Sequence, residues 1–150
     1  MKAHDFKGVA WSCESGFIDV SLERYKGSYL VLFFYPMNFT FVTPTEITAF
    51  SDNYEHFHKY QCELLGVSID SQYSHMAYTK MPREQGGVGT IRFPLLSDST
   101  RKISKAYNAL IESGPDEGVC LRKTLIINKS GNIIYNEDTD THIGKTLKIY

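Results

Sequence analysis

The sequence has few cysteines, no long apolar run and almost no net charge, and each shortage excludes a class of protein. The three cysteines, Cys13, Cys62 and Cys120, are far apart without a CxxC pair, which argues against a zinc site and a disulfide framework. No apolar run approaches the roughly 18 residues of a membrane span. The 16 basic and 17 acidic residues nearly cancel, so nucleic acid and anionic membranes are not expected partners. Small molecules or other proteins are the expected partners.

The amino-terminal segment MKAHDFKG lacks the apolar core of a signal peptide, which favours an intracellular, cytoplasmic protein. The five histidines give no metal-ligand pattern, because His56 and His58 lie two positions apart and the others are isolated. We therefore expect no metal and no cofactor. A length of 150 residues predicts a single domain over residues 1–150 with one hydrophobic core.

The chain does contain alternating strand and helix patterns. Residues 29–35, YLVLFFY, form a continuous apolar run typical of a strand buried on both faces, and residues 64–69, LLGVSI, form another. Between them, apolar residues recur at helical spacing from Ile47 to Phe57. This order of strand, helix and strand predicts a parallel crossover.

The rest of the chain predicts further helices and a closing hairpin. These elements are a helix over 71–81, a strand FPLLSD, a helix over 99–110 capped by Ser97 or Asp98, and strands over 119–127 and 132–136 joined by NKSG. The GGVG stretch at 86–89 predicts a flexible connection. The predicted class is α/β, with a central mixed sheet flanked by helices and an antiparallel end.

The segment PMNFTFVTPTEI links the first predicted strand to the first predicted helix. The carboxyl ends of parallel strands are where open α/β sheets generally build their sites, so Thr43 is a candidate site residue. Thr43, Pro44 and Glu46 also form a capping-box pattern, with threonine before the helix, proline in its first turn and glutamate three residues on. The residues alone leave both interpretations open.

The run YLVLFFYPMNFTFVTPTEITAFSD resembles the active-site segment of the typical two-cysteine peroxiredoxins, whose motif PxxxTxxC ends in the peroxidatic cysteine. The resemblance continues through CELLGVSIDSQYSHMAY, PREQGGVGTIRFPLLSD and GVCLRKTLIIN, with a weaker IGKT near the end. It implies a thioredoxin-like fold with peroxiredoxin elaborations, and thiol-dependent reduction of hydrogen peroxide and alkyl hydroperoxides. It also implies homodimers, with decameric rings as a further expectation, and a thioredoxin-like reductant.

The resemblance also assigns roles to individual residues. Thr43 stands at the position of the peroxidatic cysteine, Pro36 would shield the site, and Thr40 would orient the peroxide. Arg122 would supply positive charge and Glu46 would hold it in place; an ion pair with a purely structural role is the alternative. Physical reasoning agrees, because a helix amino terminus and a guanidinium both lower the pKa of a thiol. Donors around the leaving oxygen stabilise its negative charge.

The departures from the family pattern matter as much as the matches. A threonine hydroxyl is scarcely ionised near neutral pH and needs a dedicated base, so Thr43 predicts a chain that is inactive as a peroxidase. Asn38 stands where the family usually has aspartate, and Lys145 where it has arginine. No resolving cysteine can be assigned before Tyr150. Two functions stay open: a peroxidase whose nucleophile has been replaced, and a redox-silent paralogue that serves as a binding, assembly or holdase subunit.

Cys120 is the thiol expected nearest to the site. It lies two residues before Arg122, so both side chains should share one face of a strand. A strand offers neither a helix terminus nor a deprotonating neighbour, so a packed thiol is the stronger expectation. Cys62 is expected to be packed and inert, and Cys13 to lie in a loop.

Overall fold

The computed structural model describes residues 1–40 and 43–139, which are organised around one seven-stranded mixed sheet. The strands are β1 (Lys7–Ser12), β2 (Gly16–Ser21), β3 (Tyr29–Phe34), β4 (Cys62–Ser68), β5 (Leu95–Ser97), β6 (Arg122–Ile127) and β7 (Ile133–Thr139). The helices are α1 (Thr43–Asp52), α2 (Tyr54–Lys59), α3 (Gln72–Lys80) and α4 (Lys102–Ala106). The strand order is β2-β1-β5-β4-β3-β6-β7.

Strand β3 lies inside the sheet, as its continuous apolar sequence predicts. It pairs in parallel with β4 and antiparallel with β6, with Phe34 opposite Val67 on one side and Lys123 on the other. Residues 30–34 are buried on both faces of the sheet. The parallel crossover from β3 through helix to β4 is therefore confirmed, and so is the antiparallel pairing of β6 with β7.

Each face of the sheet has its own apolar cluster. Helices α1, α2 and α3 cover one face, where Ile47, Phe57 and Tyr78 pack against the odd-numbered residues of β3. Helix α4 covers the other face, where Ile103 joins Leu30, Leu32 and Phe34. Within the described residues the sheet thus has α1, α2 and α3 on one face and α4 on the other, in agreement with the predicted helix-flanked mixed sheet.

The single helix predicted from Ile47 to Phe57 is two helices. Helix α1 ends at Asp52 and α2 begins at Tyr54. Asn53 is the reason, because its side-chain amide donates to the Ala49 carbonyl at 2.7 Å while its backbone N–H donates to the same oxygen at 3.2 Å. An asparagine side chain that competes for helical carbonyls in this way interrupts the regular pattern.

The helix predicted over residues 99–110 is shorter than its sequence pattern indicates. It spans only Lys102–Ala106, although the predicted cap Asp98 does accept hydrogen bonds from the Ile103 and Ser104 backbone N–H groups at 3.1 and 2.7 Å. Asn108 then adopts a left-handed conformation with φ of 57°. That turn ends the helical path and allows the Leu121 N–H to donate to the Ala109 carbonyl at 2.8 Å.

The connection at GGVG is a packed turn, contrary to the predicted flexible link. The Gly87 N–H donates to the Pro82 carbonyl at 3.1 Å, and Val88 is fully buried. A Cβ atom at position 87 would lie 2.1 Å from the Met81 carbonyl oxygen, so only glycine fits there. The amino-terminal hairpin of β1 and β2 is a further difference, since no sequence pattern used above predicts it.

Candidate active site

The segment that carries the predicted site follows β3 and enters α1. Its neighbours across the sheet are the carboxyl end of β4 and the amino end of β6, because Phe34 is opposite both Val67 and Lys123. Side chains from residues 36–40, from α1, from Arg122 and from the chain after β4 therefore meet at one edge. This is the edge at which α/β sheets generally build their sites.

Thr43 is the centre of a hydrogen-bonded frame. Its Oγ1 accepts a hydrogen bond from the Thr40 hydroxyl at 2.7 Å and another from Arg122 Nη2 at 2.9 Å. The residue is fully buried, at 0% exposure. One oxygen that receives two donors, one of them cationic, occupies the position that a thiolate would need at this point.

Arg122 is held by Glu46 through its other terminal nitrogen. Arg122 Nη1 lies 2.7 Å from Glu46 Oε1, and only 4% of the arginine side chain and 19% of the glutamate side chain are exposed. Burial raises the pKa of the Glu46 carboxyl above its usual value, although the charge and hydrogen bond of Arg122 act to lower it. The contact fits both interpretations made from the sequence, because the same ion pair fixes the guanidinium that reaches Thr43.

Thr40 is fixed at a second point, since its hydroxyl also lies 3.2 Å from the Met37 carbonyl oxygen. Pro36 follows β3 in the same loop and is half-buried. The structure thus brings Thr40, Thr43, Glu46 and Arg122 into one continuous chain of hydrogen bonds. The shielding role of Pro36 stays a prediction.

Cys120 lies on the other side of the sheet from this frame, so the predicted shared face with Arg122 is wrong. It is fully buried in the cluster covered by α4, and its Sγ is 3.0 Å from Ser104 Oγ. The regular alternation of side chains between the two faces of a strand does not extend to Cys120, because β6 begins at Arg122 and Cys120 instead forms an isolated bridge with Leu110. Burial raises the pKa of the Cys120 thiol to about 12.

Asn38, noted in the sequence only as a departure, lies in a buried polar network beside the frame. Its Oδ1 accepts from the Tyr35 hydroxyl at 2.7 Å, and its backbone N–H donates to Asp70 Oδ2 at 2.9 Å. Its side-chain NH₂ donates to Ser74 Oγ at 3.1 Å and faces His75 Nδ1 at 3.0 Å. Asn38 is 4% exposed, and these contacts satisfy its amide.

His75 completes this network in its neutral form. Its Nε2 lies 3.1 Å from the Leu96 carbonyl oxygen, which can only accept, so Nε2 carries the proton and Nδ1 accepts from Asn38. Burial lowers the pKa of His75 to about 4, against the opposing influence of Asp70 and of the Leu96 carbonyl. Sequence reasoning dismissed His75 as isolated. Its signal was its position on the first helix after β4, beside the end of β3.

Three other expectations from the sequence concern features outside this network. Lys145 lies in residues 140–150, outside the described residues. Within residues 1–40 and 43–139, no three histidine, cysteine or acidic side chains are grouped so that they could hold a metal ion. In the same part of the chain, no helix has both the length and the apolar content to cross a bilayer.

The mixed sheet, with helices on both faces and a frame of donors at the carboxyl end of β3, defines a protein of the thioredoxin-like class. Residues 1–136 match the AhpC/TSA family, and the chain belongs to that family. It is 47% identical over 145 residues to a thioredoxin-dependent peroxide reductase, mitochondrial, of Drosophila melanogaster, covering 97% of this chain and 60% of the fly protein. It is 46% identical to peroxiredoxin-2 of Pongo abelii, covering 80% of that protein.

Solved structures give the same result for the fold. A reduced two-cysteine peroxiredoxin from Plasmodium vivax superimposes with a TM-score of 0.90 at 39% identity, over 97% of this chain and 87% of that one. A mitochondrial two-cysteine peroxiredoxin from Plasmodium falciparum gives a TM-score of 0.89 at 40% identity, over 97% and 84% of the two chains. The predicted thioredoxin-like fold is confirmed.

The prediction of a cytoplasmic location is wrong. Relatives at a similar level of identity are named for organelles: the fly protein is mitochondrial, and a 47% identical two-cysteine peroxiredoxin of Hordeum vulgare, of which the chain covers 68%, is chloroplastic. Relatives at the same level of identity are thus named for different compartments. Composition and charge therefore do not report the location.

Proposed function

We propose that this chain carries the site of a thiol-dependent peroxidase for hydrogen peroxide and alkyl hydroperoxides, and that the site is silent as written because Thr43 replaces the nucleophile. The observation that carries the proposal is the pair of hydrogen bonds that Thr40 and Arg122 donate to Thr43 Oγ1. A thiolate at that point would be stabilised by both donors.

The chemistry requires an ionised nucleophile and donors for the leaving oxygen. A thiolate at position 43 would attack the terminal peroxide oxygen, forming an S–O bond as the O–O bond breaks. The sulfur would be oxidised to a sulfenate, and the second oxygen would take up the proton of the attacked oxygen and leave as water or alcohol. Thr40 and Arg122 can stabilise the negative charge on that oxygen. Dithiothreitol would then reduce the sulfenate back to the thiolate. The Thr43 hydroxyl cannot start this sequence, because none of the hydrogen-bond partners described for it is a base.

The test is consumption of hydrogen peroxide with dithiothreitol as reductant. Thr43→Cys should turn over peroxide, the unmodified chain should not, and Thr43→Cys combined with Arg122→Ala should be slower than Thr43→Cys by about 100-fold. Turnover by the unmodified chain would overturn the silent-site proposal. An inert but folded Thr43→Cys chain would contradict the proposal that the residues around position 43 form a peroxidase site.

The relatives suggest the partners of an active form. The fly relative is named as thioredoxin-dependent, so a thioredoxin-like protein is the proposed reductant for Thr43→Cys. Because the chain spans 60% of that relative, the activity of the whole protein is part of the proposal. Homodimers and decamers are proposed from membership of the family alone, and sedimentation velocity would measure them.

A second candidate function is that of a redox-silent binding, assembly or holdase subunit. It is favoured by exposed aromatic side chains: Phe17 and Tyr73 are 44% and 62% exposed, with ring centroids 5.4 Å apart. Large exposed rings that touch one another are typical of protein contact surfaces. If the unmodified chain forms the proposed homodimers or decamers and the Thr43→Cys variant is inert, this function is favoured over the first.

A further inference from the structure

The loop of residues 36–40 contacts α3 through two of its side chains. Asn38 contacts Ser74 and His75 of that helix through its side-chain amide, at 3.1 and 3.0 Å. The Phe39 ring packs on the Tyr78 ring, with centroids 4.7 Å apart. These contacts lie on consecutive turns of α3, so one face of the helix holds the loop.

The directions of the hydrogen bonds between Asn38 and His75 follow from the other groups that each residue contacts. The Leu96 carbonyl requires a proton on His75 Nε2, so His75 Nδ1 is an acceptor. Asn38 must then turn its NH₂ toward His75 and its Oδ1 toward the Tyr35 hydroxyl, which is 2.7 Å away. A neutral amide is the group that fits, because a carboxylate would place a lone pair against the lone pair of Nδ1.

Thr40 lies two residues beyond Asn38 in the same loop. Phe39, between them, has a left-handed backbone with φ of 64°, which aromatic residues rarely adopt without support. The contact of the Phe39 ring with the tilted Tyr78 ring and the hydrogen bonds of Asn38 supply that support. The Thr40 hydroxyl is thereby directed at Thr43 Oγ1, 2.7 Å away.

We propose that Asn38 and His75 are positioning residues of the peroxidase site, which hold the 36–40 loop so that the Thr40 hydroxyl donates to the group at position 43. The proposal rests on the proposed function for its chemistry, since it concerns the same site. Neither residue touches Thr43 in the described contacts, so both act through Thr40.

The experiment uses the thiol of Thr43→Cys as a reporter that does not depend on peroxide turnover. The alkylation rate of residue 43 is measured against pH, with its peptide identified by mass spectrometry, in the parent, His75→Ala and His75→Gln chains. His75→Ala should raise the thiol pKa by about one unit, because Thr40 no longer stabilises the thiolate. His75→Gln should restore it, because its amide offers both an acceptor for Asn38 and a donor for Leu96.

Two further variants separate positioning from general destabilisation. Trp11→Phe removes a 2.8 Å hydrogen bond to Thr79 on α3 without touching the loop, and should leave the thiol pKa unchanged. In a Thr40→Val background, His75→Ala should cause no additional shift, since the group it acts through is absent. An equal shift in both backgrounds would overturn the proposal, as would a folded His75→Ala chain with the parental thiol pKa.

Asn38→Ala provides the same comparison if His75→Ala does not fold, and an unchanged thiol pKa there also overturns the proposal. Peroxide turnover is recorded in parallel. A thiol pKa that responds as expected in a Thr43→Cys chain without turnover would reject the proposed function and keep the positioning role. If Thr43→Cys does turn over peroxide and its turnover falls less than about twofold on loss of His75 or Asn38, the proposed function is kept and the positioning role is rejected.

Discussion

Thr43 and Arg122 are 79 positions apart in the chain and are joined by a hydrogen bond of 2.9 Å. The bond connects the start of α1 to the start of β6. Glu46, on the next turn of α1, also binds the guanidinium, with Oε1 2.7 Å from Arg122 Nη1. The sheet and the helix that carries the candidate nucleophile position are therefore tied together by one guanidinium. Its removal has consequences for stability as well as for chemistry.

Arg122→Met should lower the free energy of unfolding by about 3 kcal/mol, because it leaves the Glu46 carboxylate largely buried without its partner. Urea unfolding followed by far-ultraviolet circular dichroism measures the loss. Adding Glu46→Leu should recover most of it, since the buried charge is then removed as well.

The matched control for that measurement is Arg92→Met. Arg92 pairs with Glu55 at 2.5 Å, but both side chains are at least half exposed. We expect a change below about 1 kcal/mol. Equal losses from Arg92→Met and Arg122→Met would show that burial of the Arg122 pair has no energetic consequence.

Stability should depend on pH through His75. The folded chain keeps this ring neutral down to a pKa of about 4, whereas the unfolded chain protonates near 6.5. Between these values the unfolded state binds more protons, so the free energy of unfolding should fall as pH falls, by about 3 kcal/mol in total. His75→Gln should show a shallower decline between pH 6.5 and pH 4.5. Parallel curves for the two chains would contradict the prediction.

The thiols should differ strongly in reactivity. Cys120 is fully buried and burial raises its pKa to about 12, while burial raises the pKa of half-buried Cys62 to about 11. Pulsed alkylation at pH 8 should modify Cys13 first, Cys62 more slowly, and Cys120 only after denaturant is added. Rapid modification of Cys120 in the folded chain would contradict the predicted order.

Gly87→Ala should destabilise the chain by about 3 kcal/mol or more, since the new Cβ would lie 2.1 Å from the Met81 carbonyl oxygen. Gly86→Ala is the matched control, because its Cβ would meet open space and only the φ of 94° opposes it, at about 1 kcal/mol. Thermal unfolding compares the two. A loss for Gly87→Ala no larger than that for Gly86→Ala would show that the turn relaxes without cost.

Local patterns predicted those elements whose stability is local or simply apolar. The runs at 29–35 and 64–69 became β3 and β4 because burial on both faces requires uninterrupted apolar residues. Ser97 and Asp98 were the two predicted caps, and Asp98 accepts the helix N–H groups although Arg101 occupies the N-cap position itself. The meeting of Thr43 with Arg122 came only from resemblance to a family, since no periodicity joins residues so distant in sequence.

The features missed from the sequence depend on partners elsewhere in the chain. Asn38 is satisfied by Tyr35 just after β3, by Asp70 after β4 and by α3, and the last two partners lie more than 30 positions away in sequence. Cys120 lies on the opposite face from the one predicted, because β6 begins at Arg122, three residues later than the strand predicted over 119–127. Asn53 interrupts a helix through a side-chain contact that apolar spacing does not detect.

The amino-terminal hairpin has a consequence for the order of folding events. Strands β1 and β2 are adjacent in sequence and pair along their whole length, so their contact closes a short loop. Among the described residues, strand β1 pairs with the rest of the sheet through Ala10 opposite Leu96 and Trp11 opposite Leu95, across more than half of the chain. Contacts between such distant residues form slowly, so the hairpin can pair early while its docking on β5 waits for the centre of the sheet.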